Sequence, residues 1–531
     1  MRKFNLFKTV CTLVAAMLCV QLLKAQNLKP QPVRTVDADV NKISGPLNQA
    51  YKMCIGAGRA NEGLRADWQR QLRMVKKDCG FEYIRFHGLL TDDMGVYTED
   101  KQGNPIYNWQ YIDELYDFLL SIKVRPFVEL GFMPKALASG NQTVFWWKGN
   151  ITQPKDFNKW ADLIKHLVQH WTERYGPAEV QQWYFEVWNE PNLNIFFSGK
   201  QADYFKLYET TAKAIKGVNR VYRVGGPATA GSAWIPDMIS FCKTNNVPLD
   251  FVSTHTYSVK RGFVDLTGDA GTIINPDKNA VAKTMHKSRQ QITGSTMPNL
   301  ELHYTEWSSS YTPTDYLHDT YEEASFILDN IKRAAPAVTS LSYWTFTDIF
   351  EENGPRSTPF HGGFGLVNYQ DIKKPAYYAY QYLNSLGKYE IINKDSSAII
   401  TKDNNGDIAV LVWNCTIDHP GDSTNDQVYY RLEHPAKSIG ELHLHLSGLK
   451  PGKYQLEVAK TGYRAHDAYT AYLDLKAPPQ LTRQQVALIK QQQNNEQPLA
   501  SVPIFINGNG TFSKILPLAQ NDVYFLRLIK K

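Results

Sequence analysis

From Lys52 onward, short apolar runs rich in β-branched and aromatic residues alternate with longer stretches whose apolar positions recur every three or four residues. That is the pattern of repeated βα units. Eight runs read as strands: Met53–Ala57, Tyr83–His87, Arg125–Leu130, Tyr184–Trp188, Tyr222–Gly226, Phe251–His255, Leu302–Glu306 and Leu341–Phe346. Between them Glu62–Lys77, Asp113–Ile122, Phe157–Tyr175, Ala202–Gly217, Ile235–Asn245, Asn279–Ile292 and Thr320–Ala334 have helical spacing, and Ala376–Leu386 follows the last run. In Phe157–Tyr175, Trp160, Leu163, Ile164 and Leu167 fall on one face that can pack on a sheet. Eight strands each followed by a helix predict an α/β fold, a (β/α)8 TIM barrel over residues 51–386, with its chemistry at the C-terminal strand ends.

Past Leu386 the period changes. Ala398–Lys402, Ile408–Trp413, Glu441–Leu446, Lys453–Val458 and Val523–Leu528 alternate apolar with polar, and Asn404-Asn405-Gly406 and Pro451-Gly452 mark turns. A β-sandwich domain over 387–531 is expected, with a Gln/Asn-rich insertion or surface helix near 483–500. Residues 26–50, polar with scattered Pro, read as an extended arm. Residues 1–25 run from basic to apolar to a small residue before Gln26, the layout of a cleaved signal peptide, so a secreted or periplasmic protein is expected, without a membrane anchor.

Composition narrows the function. Losing the signal peptide removes Arg2, Lys3, Lys8 and Lys24 and no acid from a formal net charge of +6, so nothing argues for a nucleic-acid partner. Cys54, Cys79, Cys242 and Cys415 are far apart, without the spacing of a zinc site or disulfide scaffold, and read as buried thiols. The oligomeric state is left open.

The stretch Trp183–Asn192 is an apolar strand that stops at Asn189-Glu190-Pro191. An acid at a buried strand tip is poorly hydrated and can hold a proton near neutral pH, unlike a solvated loop Glu. Leu302–Trp307 is a second strand ending in an acid, Glu306. Carboxylates at the fourth and seventh tips face each other across a barrel mouth, as glycoside hydrolysis requires.

The segments Tyr184–Asn192, Tyr304–Pro313, Ser342–Glu352, Phe360–Leu366, Gly131–Gly140 and Ile84–Gly88 resemble glycoside hydrolase family 39, most closely its β-xylosidase branch. The resemblance implies a retaining double displacement with Glu306 as nucleophile and Glu190 as proton donor, then base. It also implies that Asn189 bonds a sugar 2-hydroxyl, that Tyr257 supports the nucleophile, that His255 sits beside the acid, and that the Trp344 peptide is cis. His87 is expected at a glycone hydroxyl, Trp344 under the sugar ring, and one of Glu351 and Glu352 at the 3- and 4-hydroxyls. Phe145-Trp146-Trp147 is a candidate aglycone wall. Lys260-Arg261 reads as a solvated pair in preference to a uronic-acid clamp, and Glu129 and Glu186 as buried hydrogen-bonding groups within strands. No cofactor or metal is expected. The resemblance implies exo release of xylose from the non-reducing ends of β-xylosides; the alternatives are arabinose, galactose, glucose or a uronic acid as glycone, release of a disaccharide, or a non-catalytic carbohydrate-binding protein, which would be marked by loss of one of the paired acids or of Asn189.

Overall fold

The structure, a computed structural model, describes residues 32–264, 270–417, 426–494 and 501–531. The expected signal peptide and the end of the Gln/Asn-rich stretch lie outside the described residues. The first strand, β1 (Val33–Pro46), belongs to the C-terminal sheet. The next eight, β2 (Cys54–Arg59), β3 (Tyr83–His87), β4 (Arg125–Leu130), β5 (Tyr184–Val187), β6 (Arg223–Thr229), β7 (Phe251–Tyr257), β8 (Glu301–Ser308) and β9 (Ser340–Tyr343), close a parallel barrel in chain order. β2, β3, β5 and β9 are buried along their whole length, because helices cover the outside and side chains fill the inside.

Period-2 alternation stacks the interior in layers. Tyr83, Phe127, Tyr184 and Phe251, at or near the strand starts, form an aromatic floor, with Phe127 and Tyr184 stacked at 4.9 Å. Two residues further along β3, β4 and β5 come Arg85, Glu129 and Glu186, a fully buried charged layer. The mouth lies above it. In β8 a bulge interrupts the alternation: Tyr304 pairs with Thr254 and Glu306 with His255, leaving Thr305 unmatched. Thr305 therefore reaches the charged layer while Glu306, its neighbour, reaches the mouth.

The helices form where the periodicity predicts them. In Phe157–Tyr175, the Asp156 side chain accepts from the amides of Asn158 and Lys159, Trp160, Leu163, Ile164, Leu167, Val168 and Trp171 are buried, and Gly176 at φ 83° ends the helix.

The C-terminal unit contains β10 (Tyr389–Asn393), β11 (Ala398–Lys402), β12 (Ile408–Trp413), β13 (Ser438–Ser447), β14 (Gly452–Thr461), β15 (Ser501–Ile506), β16 (Phe512–Ala519) and β17 (Val523–Lys530). Together with β1 they pair in the order β15-β14-β17-β12-β11-β10-β1-β13-β16 and fold around one core to which all nine strands contribute, giving the sandwich. The stretch expected as an extended arm is thus an internal strand, parallel to β13 and antiparallel to β10. Val36, Ala38 and Val40 point into the core while Asp37 and Asp39 alternate with them, and the outward acids hide the strand in the sequence. Both edge strands carry a proline, Pro503 in β15 and Pro517 in β16, as an edge tolerates and a central strand does not. Gln/Asn-rich residues Arg483–Gln493 form a helix whose Ile489 is buried.

The two units share apolar packing. Along β12, Ile408, Val410 and Val412 face the sandwich core, while Ala409, Leu411 and Trp413 join the barrel's core. Tyr382 of the last barrel helix stacks on Phe525 of β17 at 5.1 Å. A chain beginning at Leu47 loses an internal strand and should melt well below one beginning at Gln26, or fail to stay soluble. Equal thermal melts would show that β1 is dispensable.

Candidate active site

The strand β5 ends at Val187, and the backbone then turns sharply: Trp188 and Glu190 take φ of 71° and 43°, left-handed conformations that cost energy in side-chain-bearing residues. The turn is held by the Glu190 amide, which donates to the Ala228 carbonyl at 2.8 Å, and by the Trp188 indole, which donates to the Phe196 carbonyl at 2.9 Å. Both Asn189 and Glu190 are thereby presented to the barrel mouth.

Beneath them lies Arg85, fully buried. Its guanidinium donates to Glu186 Oε2 at 2.7 Å, to Glu306 Oε1 at 2.5 Å and to Asn189 Oδ1 at 2.9 Å, and lies 2.8 Å from Glu129 Oε2. A buried charge needs this many partners, because the layer offers it no water. Glu129 also meets His87 Nδ1 at 2.6 Å, and Thr305 donates to Glu186 Oε1 at 2.7 Å.

Glu190 and Glu306 stand beside each other over this layer. One oxygen of each, with a ring nitrogen of His255, lie within 4.8 Å of one another, close enough for the two carboxyl groups to act on one glycosidic bond. Burial and then the charge of Glu306 push the Glu190 carboxyl well above the usual range. Burial also raises Glu306, but Arg85, His87 and the Tyr257 hydroxyl, which donates to Glu306 Oε2 at 2.7 Å, oppose it. The pair therefore carries its proton on Glu190 and its charge on Glu306. His255, whose Nδ1 is 2.9 Å from Glu190 Oε1, is held neutral by burial and by Arg85.

A cavity of about 610 Å³ opens above the pair, lined among others by His87, Phe145, Asn189, Phe196, Tyr257, Trp344 and Glu352, a volume suited to a small saccharide. His87 Nε2 faces Glu306 and Glu352, each at 3.7 Å. Trp344 lies against the His87 ring at 4.8 Å, and its peptide to Thr345 is cis. Of the adjacent acids the structure separates the roles: Glu352 enters the cavity, whereas Glu351 turns away to ion pairs with Arg59 at 2.7 Å and Arg65 at 3.2 Å. The aromatic triplet also divides. Phe145 lines the cavity, Trp147 packs on Phe132, and Trp146, 54% exposed, faces a separate cleft. Lys260 and Arg261 are exposed on a hairpin after β7 and do not line the cavity.

These features, two buried acids side by side in a saccharide-sized cavity on a (β/α)8 barrel, agree with the comparisons. The model of glycosyl hydrolases family 39 matches residues 34–512. The chain belongs to that family. It is 45% identical over 378 residues, 69% of this chain and 74% of the relative, to a β-xylosidase of Geobacillus stearothermophilus. It is 40% identical over 444 residues, 82% and 90%, to one of Caldicellulosiruptor saccharolyticus. The crystal structure of a monomeric β-xylosidase from Caulobacter crescentus CB15 superposes with a TM-score of 0.90 at 40% identity, covering 94% of this chain and 99% of that one. Like the rest of family 39, this chain is a retaining glycosidase with a carbohydrate substrate.

For a family 39 site, the residues that sequence reasoning passed over are Arg85 and Thr305. Arg85 carried a signal: a cation two residues before His87 in an apolar strand must point the same way and be neutralised by inward acids. Thr305 carried none, because only the bulge turns it inward. Among the described residues, Glu190, His255 and Glu306 are the one group spaced to hold a metal ion, yet Glu306 already accepts from Arg85 and Tyr257, and the buried guanidinium repels a cation. No helix among the described residues is long and apolar enough to cross a membrane.

Arg85→Met leaves buried carboxylates uncompensated. It should cost about 3–5 kcal/mol in a denaturant melt, and, because Arg85 lowers the Glu306 pKa, it should move the acid limb of the activity profile to higher pH. An unchanged melt and limb would contradict the hub role.

Proposed function

We propose that this chain is an exo-acting β-xylosidase that releases xylose from the non-reducing ends of β-xylosides. The observation that carries the mechanism is the Glu190–Glu306 pair, buried side by side with oxygens within 4.8 Å, Glu306 alone of the two accepting from the Arg85 guanidinium. A Glu306 oxygen attacks the anomeric carbon while Glu190 passes its proton to the departing glycosidic oxygen, so the C–O bond to the aglycone breaks as the glycosyl–Glu306 ester forms. Glu190, now a carboxylate, takes a proton from water; the hydroxide adds to the anomeric carbon and Glu306 leaves as a carboxylate, so the sugar departs with its starting configuration. Asn189 has its Oδ1 bound to Arg85, which leaves its amide hydrogens for the 2-hydroxyl. His87 and Glu352 take further hydroxyls of the glycone, and Trp344 lies under the ring.

Xylose as glycone is supported by the name that both curated relatives and the solved structure carry. Exo action is supported by the same name, and the loops at the mouth are tied together: the Trp146 amide after β4 donates to the Glu352 carbonyl at 2.6 Å, and Arg59 at the end of β2 pairs with Asp93 and Glu351. Export rests on the reading of residues 1–25 as a signal peptide. Both acids and Asn189 are in place, so the non-catalytic carbohydrate-binding reading is set aside.

Nitrophenyl β-xyloside, β-galactoside, β-glucoside, α-L-arabinoside and α-L-iduronide test the glycone. Wild type should prefer the β-xyloside, Glu306→Ala should be inactive on all, and Glu190→Ala should lose about 10²–10⁴-fold on substrates whose leaving group needs a proton. Preference for another sugar would replace xylose while leaving the acids' roles intact; an active Glu306→Ala would remove the nucleophile assignment.

A further inference from the structure

We propose that Thr305 is a positioning residue that fixes the tautomer of His255 and thereby keeps the proton on Glu190. The inference rests on the reading of Glu190 as the acid. It follows from the supply of hydrogens along one chain of contacts: Arg85 Nε to Glu186 Oε2 at 2.7 Å, Glu186 Oε1 to Thr305 Oγ1 at 2.7 Å, Thr305 Oγ1 to His255 Nε2 at 3.1 Å, and His255 Nδ1 to Glu190 Oε1 at 2.9 Å.

The Glu186 carboxylate is fixed by the guanidinium and only accepts, so the one hydroxyl hydrogen of Thr305 points to it. Toward His255 the hydroxyl offers only lone pairs, and Nε2 must carry the ring hydrogen. Burial, and then the charges of Arg85 and His87, keep the ring neutral, although its Nδ1 also lies 3.6 Å from Glu306 Oε2. Nδ1 is therefore bare. A bare nitrogen and a carboxylate oxygen do not face each other at 2.9 Å without a hydrogen between them, and that hydrogen is the Glu190 proton.

The same wiring suits the second half of the reaction. Once Glu190 has given up its proton, its carboxylate meets a bare nitrogen on β7, the paired Glu129 and Arg85 below, and Glu352 from the loop after β9. Glu306 on β8 is by then an uncharged ester. With no donor from His255 to stabilise the anion, Glu190 is a stronger base toward the attacking water. The β8 bulge makes this arrangement: without it, Thr305 and Glu306 would point to opposite sides of the strand.

The test combines ¹⁵N NMR of histidine-labelled protein, with His255 assigned through His255→Gln, and pH profiles of kcat/KM on an alkyl β-xyloside. Wild type should show His255 with its hydrogen on Nε2. Thr305→Val removes the acceptor and frees the ring to place its hydrogen on Nδ1 and donate to ionised Glu190. The Glu190 pKa then falls, and the alkaline limb should move down by about one pH unit or more, as when a carboxylate gains a donor; Thr305→Ser should restore both tautomer and limb. A purely structural Thr305 would lower activity at every pH without moving the limb. A hydrogen on Nδ1 in wild type, a readout that survives even if Thr305→Val fails to fold, would overturn the proposal. Persistence of the alkaline limb in Glu190→Gln would instead overturn the reading of Glu190 as the acid.

Discussion

A single buried cation sets the terms for the rest of this molecule. Arg85 sits inside the barrel where apolar side chains would ordinarily fill the layer, and it is held there by Glu129, Glu186 and Glu306. Its charge is what lets Glu306 remain a carboxylate out of water, and the charge of Glu306 in turn raises Glu190. One guanidinium thus divides two acids of the same kind into a nucleophile and a proton donor. Its remaining donors orient Asn189 and, through Glu129, the ring of His87.

Around that layer the fold supplies rigidity at the strand tips. The left-handed turn at Trp188 and Glu190 and the bulge at Thr305 are local departures from regular geometry that aim Asn189, Glu190 and Glu306 into the mouth, while ion pairs of Arg59 tie the loops after β3 and β9 beside it. The aromatic floor below and the helices outside hold these departures in place, and the sandwich packs on the barrel through β12 and β17. Lys374, fully buried with Asp319 and Asp348, secures the loop after β9 from behind.

Much of this was legible in the sequence, for identifiable reasons. Buried parallel strands are continuous apolar runs, so all eight barrel strands were found, with Tyr83–His87 and Arg125–Leu130 matching to the residue. The paired acids were legible because each ends such a run. β1 was not: its inward residues are small or β-branched and its outward ones acidic, and its partners β10 and β13 lie hundreds of residues away. The prolines of β15 and β16 concealed two strands that only their edge positions permit. The division of Glu351 from Glu352 depends on Arg59 and Arg65 reaching one and not the other, a pairing between loops that spacing along the chain does not encode.

Catalysis turns on Glu306, kept charged by Arg85, forming a bond to the sugar. Incubation with a 2-deoxy-2-fluoro-β-xylosyl fluoride, whose glycosyl-enzyme turns over slowly, followed by proteolysis and mass spectrometry, tests it directly. Time-dependent inactivation, with one fluoroxylosyl group on the peptide that carries Glu306, is the expected result. A label on Glu190, or rapid release of fluoride with no covalent adduct, would contradict it.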